Sequence, residues 1–174
     1  RTFPLPVVLM ELPSRKELTL PLPCPYLART FPLPVVLMEL PSRKELSQKN
    51  LFSVADLRMT WHDQGHFLCV KVDKHSKSKK TLNSAFELFR LRDKGVPIEV
   101  LEFNKDTTIH AMSWEPKGMR FAVILGEGQG NRTDVAIHTM GSRLNGRTSL
   151  LKTLDKKSAN ALFWSPAGGE IERE

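Results

Sequence analysis

The stretch that decides the fold is Trp114-Glu115-Pro116-Lys117-Gly118, which joins two runs of residues typical of β-strands. One run covers residues 107–113 and the other covers 119–125. Proline fixes φ at the first corner of a turn, and glycine accepts backbone torsions that a side chain resists. Two β-rich runs joined by so short a polar link predict a β-hairpin.

Related stretches occur twice more, as Trp61-His62-Asp63-Gln64-Gly65 and as Trp164-Ser165-Pro166-Ala167-Gly168. The three tryptophans are 53 and 50 residues apart, a spacing typical of propeller blades. A four-stranded unit cannot bury its own two faces, so the spacing predicts stacked blades. The predicted fold class is all-β, a partial β-propeller with about two complete four-stranded blades and incomplete flanking blades. The residues interpreted as structural parts of the blade turns are Trp61, Gly65, Trp114, Pro116, Gly118, Trp164, Pro166 and Gly168.

The first part of the chain contains an exact duplication, because residues 1–18 recur unchanged at 29–46. Repeats that stack in a fold diverge, so an identical copy is typical of a recent tandem exon or an artefact. Nine of the twelve prolines also lie within residues 1–41, and prolines confine a strand to a sheet edge. We therefore expect residues 1–28 to be irregular or artefactual. Residues 29–55 are predicted to form the outer strands of a preceding blade, the last of them ending at Val54.

Three segments follow, and two of them are predicted to be complete blades. These blades are residues 56–105 and 106–156, and residues 157–174 would begin a truncated blade. A chain of 174 residues supplies about three blades, whereas closed propellers have ~4–8, so we expect it to be a fragment of a larger protein. No apolar run approaches the ~20 residues of a membrane span. The two cysteines show no metal-ligand spacing, which favours a reducing compartment.

No catalytic residue, metal site or cofactor is predicted. The glycine-rich stretch 126–130 lacks the spacing of a phosphate-binding P-loop, and Ser165 lacks the flanking glycines of a nucleophile elbow. The histidines show no persistent metal-ligand spacing. The carboxylates of the blade strands are expected to be solvated. These histidines and carboxylates are His62, His66, His75, His110, His138, Glu87, Glu99 and Glu102.

The segment from Lys71 to Lys80 carries five lysines and one aspartate in a chain of net charge +7. Clustered lysines attract phosphate without reading sequence, so this loop is a candidate contact with an anionic partner such as nucleic acid, or with a protein partner. The alternative is a solvated, mobile loop without a partner. The candidate contact residues are Lys74, Lys77, Lys79 and Lys80.

The order of these stretches resembles the propeller region of the B subunits of eukaryotic translation initiation factor 3. The resemblance is carried by residues 40–46, 49–54, 67–73, 86–90, 94–97, 114–118, 121–123 and 159–166. It implies a cytoplasmic, non-enzymatic scaffold of translation initiation without cofactors. The implied partners are the other subunits of that factor (a, g and i) and the small (40S) ribosomal subunit. The aromatic signature of an RNA-recognition motif is absent, so base stacking on RNA is not assigned.

Two other functions remain open from the residues. A propeller can gate the active site of a serine peptidase, and a WD-type propeller can be a scaffold unrelated to translation. A hydrolase domain elsewhere in the protein would favour the first. Failure to sediment with small ribosomal subunits would favour the second.

Overall fold

The structure is a computed structural model that describes residues 5–10, 32–75, 82–105, 107–127, 132–141 and 146–166. For residues 5–10 and residue 127 only the backbone is described. All regular elements in these ranges are β-strands. The strands are β1 Leu5–Met10, β2 Leu33–Leu40, β3 Lys44–Leu51, β4 Val54–Trp61, β5 Phe67–His75, β6 Leu82–Arg90, β7 Ile98–Glu102, β8 Thr107–Trp114, β9 Arg120–Glu127, β10 Thr133–Thr139 and β11 Ser149–Leu154.

The strands form three antiparallel sheets whose order follows the chain. Strands β4–β7 make one four-stranded sheet, β8–β11 make a second, and β1–β3 make a three-stranded sheet. Each strand pairs with its neighbour in sequence, which is the up-and-down order of a propeller blade. The predicted all-β fold with two four-stranded blades is confirmed.

The middle sheet is covered on both faces because the side chains of β5 alternate between two cores. Phe67 and Cys69 pack with buried residues of β8 and β9. Leu68 and Val70 face the other way and pack with buried residues of β2 and β3. Successive side chains of a strand point to opposite faces, so one apolar run supplies both interfaces. The three sheets are therefore layers of one stack.

Strand β1 pairs with β2 in antiparallel register, from Leu5 opposite Leu40 to Met10 opposite Val35. The two copies of the repeated segment thus lie side by side, and residues 5–10 form a strand although residues 1–28 were expected to be irregular. β1 is at the edge of its sheet, where a missing proline N–H costs least. The rest of residues 1–31 lies outside the described residues.

Two boundaries differ from the sequence interpretation. The last strand of the first sheet ends at Leu51, and Val54 instead begins β4 opposite Lys74. The chain turns between them at Ser53, whose φ is +56°, and the Ser53 carbonyl accepts a hydrogen bond from His75 N at 3.1 Å. The period-two alternation of residues 85–91 predicts a strand that starts at Ala85, whereas β6 begins at Leu82 because its pairing with β5 extends to His75.

The segment expected to begin a further blade forms no strand among its described residues, 157–166. Leu162 and Trp164 nevertheless pack on Ile124 and Val135, which face away from the middle sheet. The segment therefore covers part of the outer face of the second four-stranded sheet.

Candidate interaction surface at the blade ends

The tryptophans of consecutive turns make the same hydrogen bond from one unit to the one before. Trp114 Nε1 donates to the carbonyl of Thr60 at 3.0 Å, and Trp164 Nε1 donates to that of Ser113 at 3.1 Å. Thr60 and Ser113 each directly precede the tryptophan of their own unit. The repeated tryptophan therefore links two blades, because the carbonyl that accepts its hydrogen bond belongs to the preceding repeat.

The remaining predicted turn residues occupy different environments. Trp114 is buried against Phe67, with ring centroids 5.5 Å apart, whereas Trp61 is 36% exposed. Gly65 has a φ of +65° and donates its N–H to the His62 carbonyl at 2.8 Å. Pro116 is half-buried and Pro166 exposed, and Gly168 lies outside the described residues.

Gly118 leaves room for a neighbouring side chain, and its φ is not positive. In the described part of the chain the glycines with positive φ are Gly65, Gly95 and Gly141. A Cβ on Gly118 would lie 1.8 Å from Glu115 Oε2, so the carboxylate of Glu115 occupies the place of a side chain. The expectation from turn chemistry was therefore wrong about the reason for this glycine.

The Glu115 carboxylate closes the β8–β9 turn by binding Arg120. It accepts hydrogen bonds from Arg120 N at 3.3 Å and Nε at 2.9 Å, and it forms an ion pair with the Arg120 guanidinium. The hydrogen bonds from Arg120 lower the pKa of Glu115 against the opposing effect of burial. The turn is thus held by an ionised, buried carboxylate.

His62 joins the first turn to the second. Its Nδ1 accepts a hydrogen bond from Gln64 N at 3.2 Å, so Nε2 carries the proton and donates to the Gly118 carbonyl at 3.0 Å. The ring also stacks with His66, with centroids 5.2 Å apart. His62 is therefore a link between sheets, and no group of metal-ligating residues occurs in the described part of the chain.

A second inter-sheet link is built around the buried guanidinium of Arg90. It donates to the Met140 carbonyl and, at 3.3 Å, to Glu99 Oε2. Glu99 in turn accepts from Thr148 N at 2.8 Å and from Thr148 Oγ1 at 2.9 Å. A buried ion pair is tolerated when such hydrogen bonds satisfy its other polar atoms.

A cleft of about 220 Å³ opens between these two links. It lies where the turns of β4–β5 and β6–β7 meet those of β8–β9 and β10–β11. Arg92 and Lys117 are exposed cations at its rim, and Met119 is 44% exposed. The residues that line the cleft are His66, Phe67, Arg90, Arg92, Asp93, Lys117, Gly118, Met119 and Gly141.

The predicted lysine cluster starts within β5, near the end of that strand that is opposite to the β4–β5 turn. Of its four candidate residues only Lys74 is described, and its Nζ is 4.0 Å from Glu87 Oε1. Lys77, Lys79 and Lys80 lie outside the described residues. Lys71 is paired with Asp73 at 2.9 Å.

The carboxylates expected to be solvated are partly buried. Glu87 is 2% exposed, with Lys49 Nζ 3.4 Å from its Oε2, and Glu99 belongs to the Arg90 link. Glu102 is exposed, as expected. Residues two apart share a face of a strand, so Arg90 lies on the face of Leu88 and Glu87 on that of Phe89. This alternation was the available signal that both charges face neighbouring sheets.

Cys69 and His138, two described residues with potentially reactive side chains, are buried in the packed interior. Cys69 is a free, buried thiol whose pKa is raised by burial, which keeps it protonated and weakly reactive. His138 is buried against Phe121, with centroids 5.1 Å apart, and burial lowers its pKa. None of the described elements is a helix that could cross a membrane.

Stacked, four-stranded antiparallel sheets linked through their turns define a protein of the β-propeller class. The family model for eukaryotic translation initiation factor eIF2A matches residues 49–171, and the chain belongs to this family.

The curated relatives name a particular factor within that class. The chain is 54% identical over 126 residues to the B subunit of eukaryotic translation initiation factor 3 from Arabidopsis thaliana. It is 45% identical to the same subunit from Emericella nidulans and 43% identical to that from Aspergillus clavatus. The matches cover 71%, 69% and 69% of this chain, and the chain spans 17% of each relative. The resemblance to the B subunits of initiation factor 3 is confirmed.

Proposed function

We propose that the chain is part of a non-enzymatic scaffold of translation initiation, whose blades present their ends to other proteins and to the ribosome. The observation that carries this proposal is the family match over residues 49–171, which spans both four-stranded sheets. The blade interiors support it, because the side chains of His62, Glu87 and Glu99 take part in links between sheets. The protein would therefore act in the cytoplasm by binding its partners through the loops at the blade ends.

The proposed partners are the small ribosomal subunit and the a, g and i subunits of initiation factor 3. The lysine-rich loop is the proposed contact with ribosomal RNA or a ribosomal protein. The net charge of +7 supports an anionic partner. Lys71 and Lys74 are already engaged by Asp73 and Glu87, so the attraction would come from Lys77, Lys79 and Lys80.

The test is sedimentation of the chain with purified small ribosomal subunits at low salt. The triple variant Lys77→Glu, Lys79→Glu, Lys80→Glu should reduce the bound fraction about tenfold, because phosphate contacts give salt-dependent binding. The matched control reverses three exposed lysines at the edge of the second sheet, Lys152, Lys156 and Lys157. Equal binding by both variants and the unchanged chain would remove the lysine contact. No sedimentation by any of them would contradict ribosome binding by this chain.

A further inference from the structure

We propose that the cleft between the two four-stranded sheets holds one apolar side chain of an acidic peptide segment of a partner protein. This deepens the proposed function, because it gives the scaffold a second contact with a partner of stated chemistry. The site is distinct from the lysine-rich loop, which follows the opposite end of β5. The rigidity, the size and the charge of the cleft fit it to such a segment.

The walls of the cleft are fixed before any partner binds. The His62–Gly118 hydrogen bond of 3.0 Å ties the first turn to the second, and Arg90 ties β6 to the Met140 carbonyl. Gly141, on the wall, has a φ of +71°, and a Cβ there would lie 2.5 Å from the Arg147 carbonyl oxygen. A preformed cleft binds at a lower ordering cost than one that must open.

The size of the cleft selects a side chain rather than a cofactor. Its volume of about 220 Å³ is below the ~300–1,000 Å³ of small-molecule sites. Phe67 lines it, and Met119 exposes 44% of its surface beside it. Methionine adapts its shape to different apolar partners, so an aromatic or long aliphatic side chain fits this site.

The positive charge at the rim of the cleft favours acidic residues beside the apolar side chain of the partner peptide. Arg92 and Lys117 are both exposed there, against one carboxylate, that of Asp93. The guanidinium of Arg90 already donates from Nη2 to Glu99 and Met140, and it forms part of the wall. Two rim cations on a chain of net charge +7 favour Asp and Glu on either side of the anchoring residue. A peptide is favoured over RNA because the cleft is small and the side chains of Phe67 and Met119 line it.

The test is fluorescence polarisation with a labelled peptide that has one central Phe between short runs of Glu. The full chain should bind it, and replacing the central Phe by Ser should weaken binding about tenfold, as expected for an anchor in a pocket. The double variant Arg92→Glu, Lys117→Glu should weaken binding by at least about tenfold through lost complementarity and new repulsion. The variant Met119→Ser, at an exposed position, should weaken it about threefold by removing apolar contact.

The matched control is Lys105→Glu, Lys152→Glu, which makes the same change in net charge at exposed positions away from the cleft and should bind nearly as well as the original chain. Equal weakening by control and cleft variants would overturn the proposal, and so would equal binding of the Phe and Ser peptides. An oligouridine that binds more tightly than the peptide and loses affinity in the cleft variant would assign the cleft to RNA instead. Peptide binding without ribosome sedimentation would contradict only the proposed ribosome contact, and the reverse result would contradict only this inference.

Discussion

His138 shows how a single buried residue makes the stability of this protein depend on pH. It is 7% exposed, and neither ring nitrogen has a hydrogen-bond partner among the described residues. Its ring lies against Phe121 and, edge-on, against Phe103. An unpartnered imidazole in an apolar layer must stay neutral, and burial lowers its pKa from the ordinary value of 6.5.

Replacing His138 by Phe should make stability less dependent on pH. The unfolded chain binds the proton more tightly than the folded chain does, so the full stability is present above pH 6.5 and declines as the pH falls below it. The slope for one group approaches ~1.4 kcal/mol per pH unit between the unfolded and folded pKa values. Urea unfolding at several pH values above and below 6.5 measures it.

The control for that experiment is His110→Gln, because His110 is exposed. It should leave the slope as in the original chain. A slope that His138→Phe does not change would show that other groups cause the acid sensitivity.

The β8–β9 hairpin shows at the scale of an element why a turn motif alone does not explain its glycine. Proline and glycine in the right order predicted the turn, and the turn is present. The reason for Gly118 is the Glu115 carboxylate, which lies where a Cβ would be and binds Arg120. That contact depends on the side-chain position of Glu115, which residue spacing does not specify.

The substitution Gly118→Ala should destabilise the protein by about 1–3 kcal/mol, because the new Cβ displaces a buried, ion-paired carboxylate. The matched control is Gly146→Ala, since a Cβ at Gly146 has nothing within 4 Å. Chemical unfolding of the two variants gives the comparison. Similar losses would show that the cost comes from the backbone and not from Glu115.

The stacking of the three sheets predicts which backbone amides are most protected from hydrogen exchange. The middle sheet has an apolar core on each face, and its strands β5 and β6 are almost entirely buried. Strand β11 lies at a sheet edge, and most of its residues are exposed. Local opening is least favourable where both faces are covered.

Hydrogen exchange should therefore be slowest in β5 and β6 and much faster in β11. Mass spectrometry of peptides from the exchanged protein measures this. The comparison of β5 with β10 is a second check, because both are inner strands but belong to different sheets. Faster exchange in β5 than in β10 would contradict a stack centred on the middle sheet.

Much of the fold was predictable because its signals are local. Alternating apolar residues marked the strands, and the spacing of the three tryptophans marked the repeat. Strand ends were less predictable, as Val54 shows, because a strand ends where its pairing ends. The pairing of β1 with β2 also depended on a partner strand about 28 residues along the chain in the duplicated segment.

The candidate site was much less predictable, since its parts come from different repeats. The links His62–Gly118, Trp114–Thr60 and Arg90–Met140 span 56, 54 and 50 residues. The alternation of residues along β6 could have predicted that Arg90 lies on the same face as Leu88. It could not have predicted that the Arg90 guanidinium meets the Met140 carbonyl. The cleft itself has no sequence motif, because its walls are set by the distance between two sheets.

The sequence by itself determined the strands, the turns, the repeat and the family, because each depends on residue types at fixed spacing within one or two hairpins. The tertiary structure decided which charges are buried, why Gly118 is a glycine and where a cleft remains open. These depend on how one sheet lies on the next, with contacts about one repeat apart that no local pattern encodes.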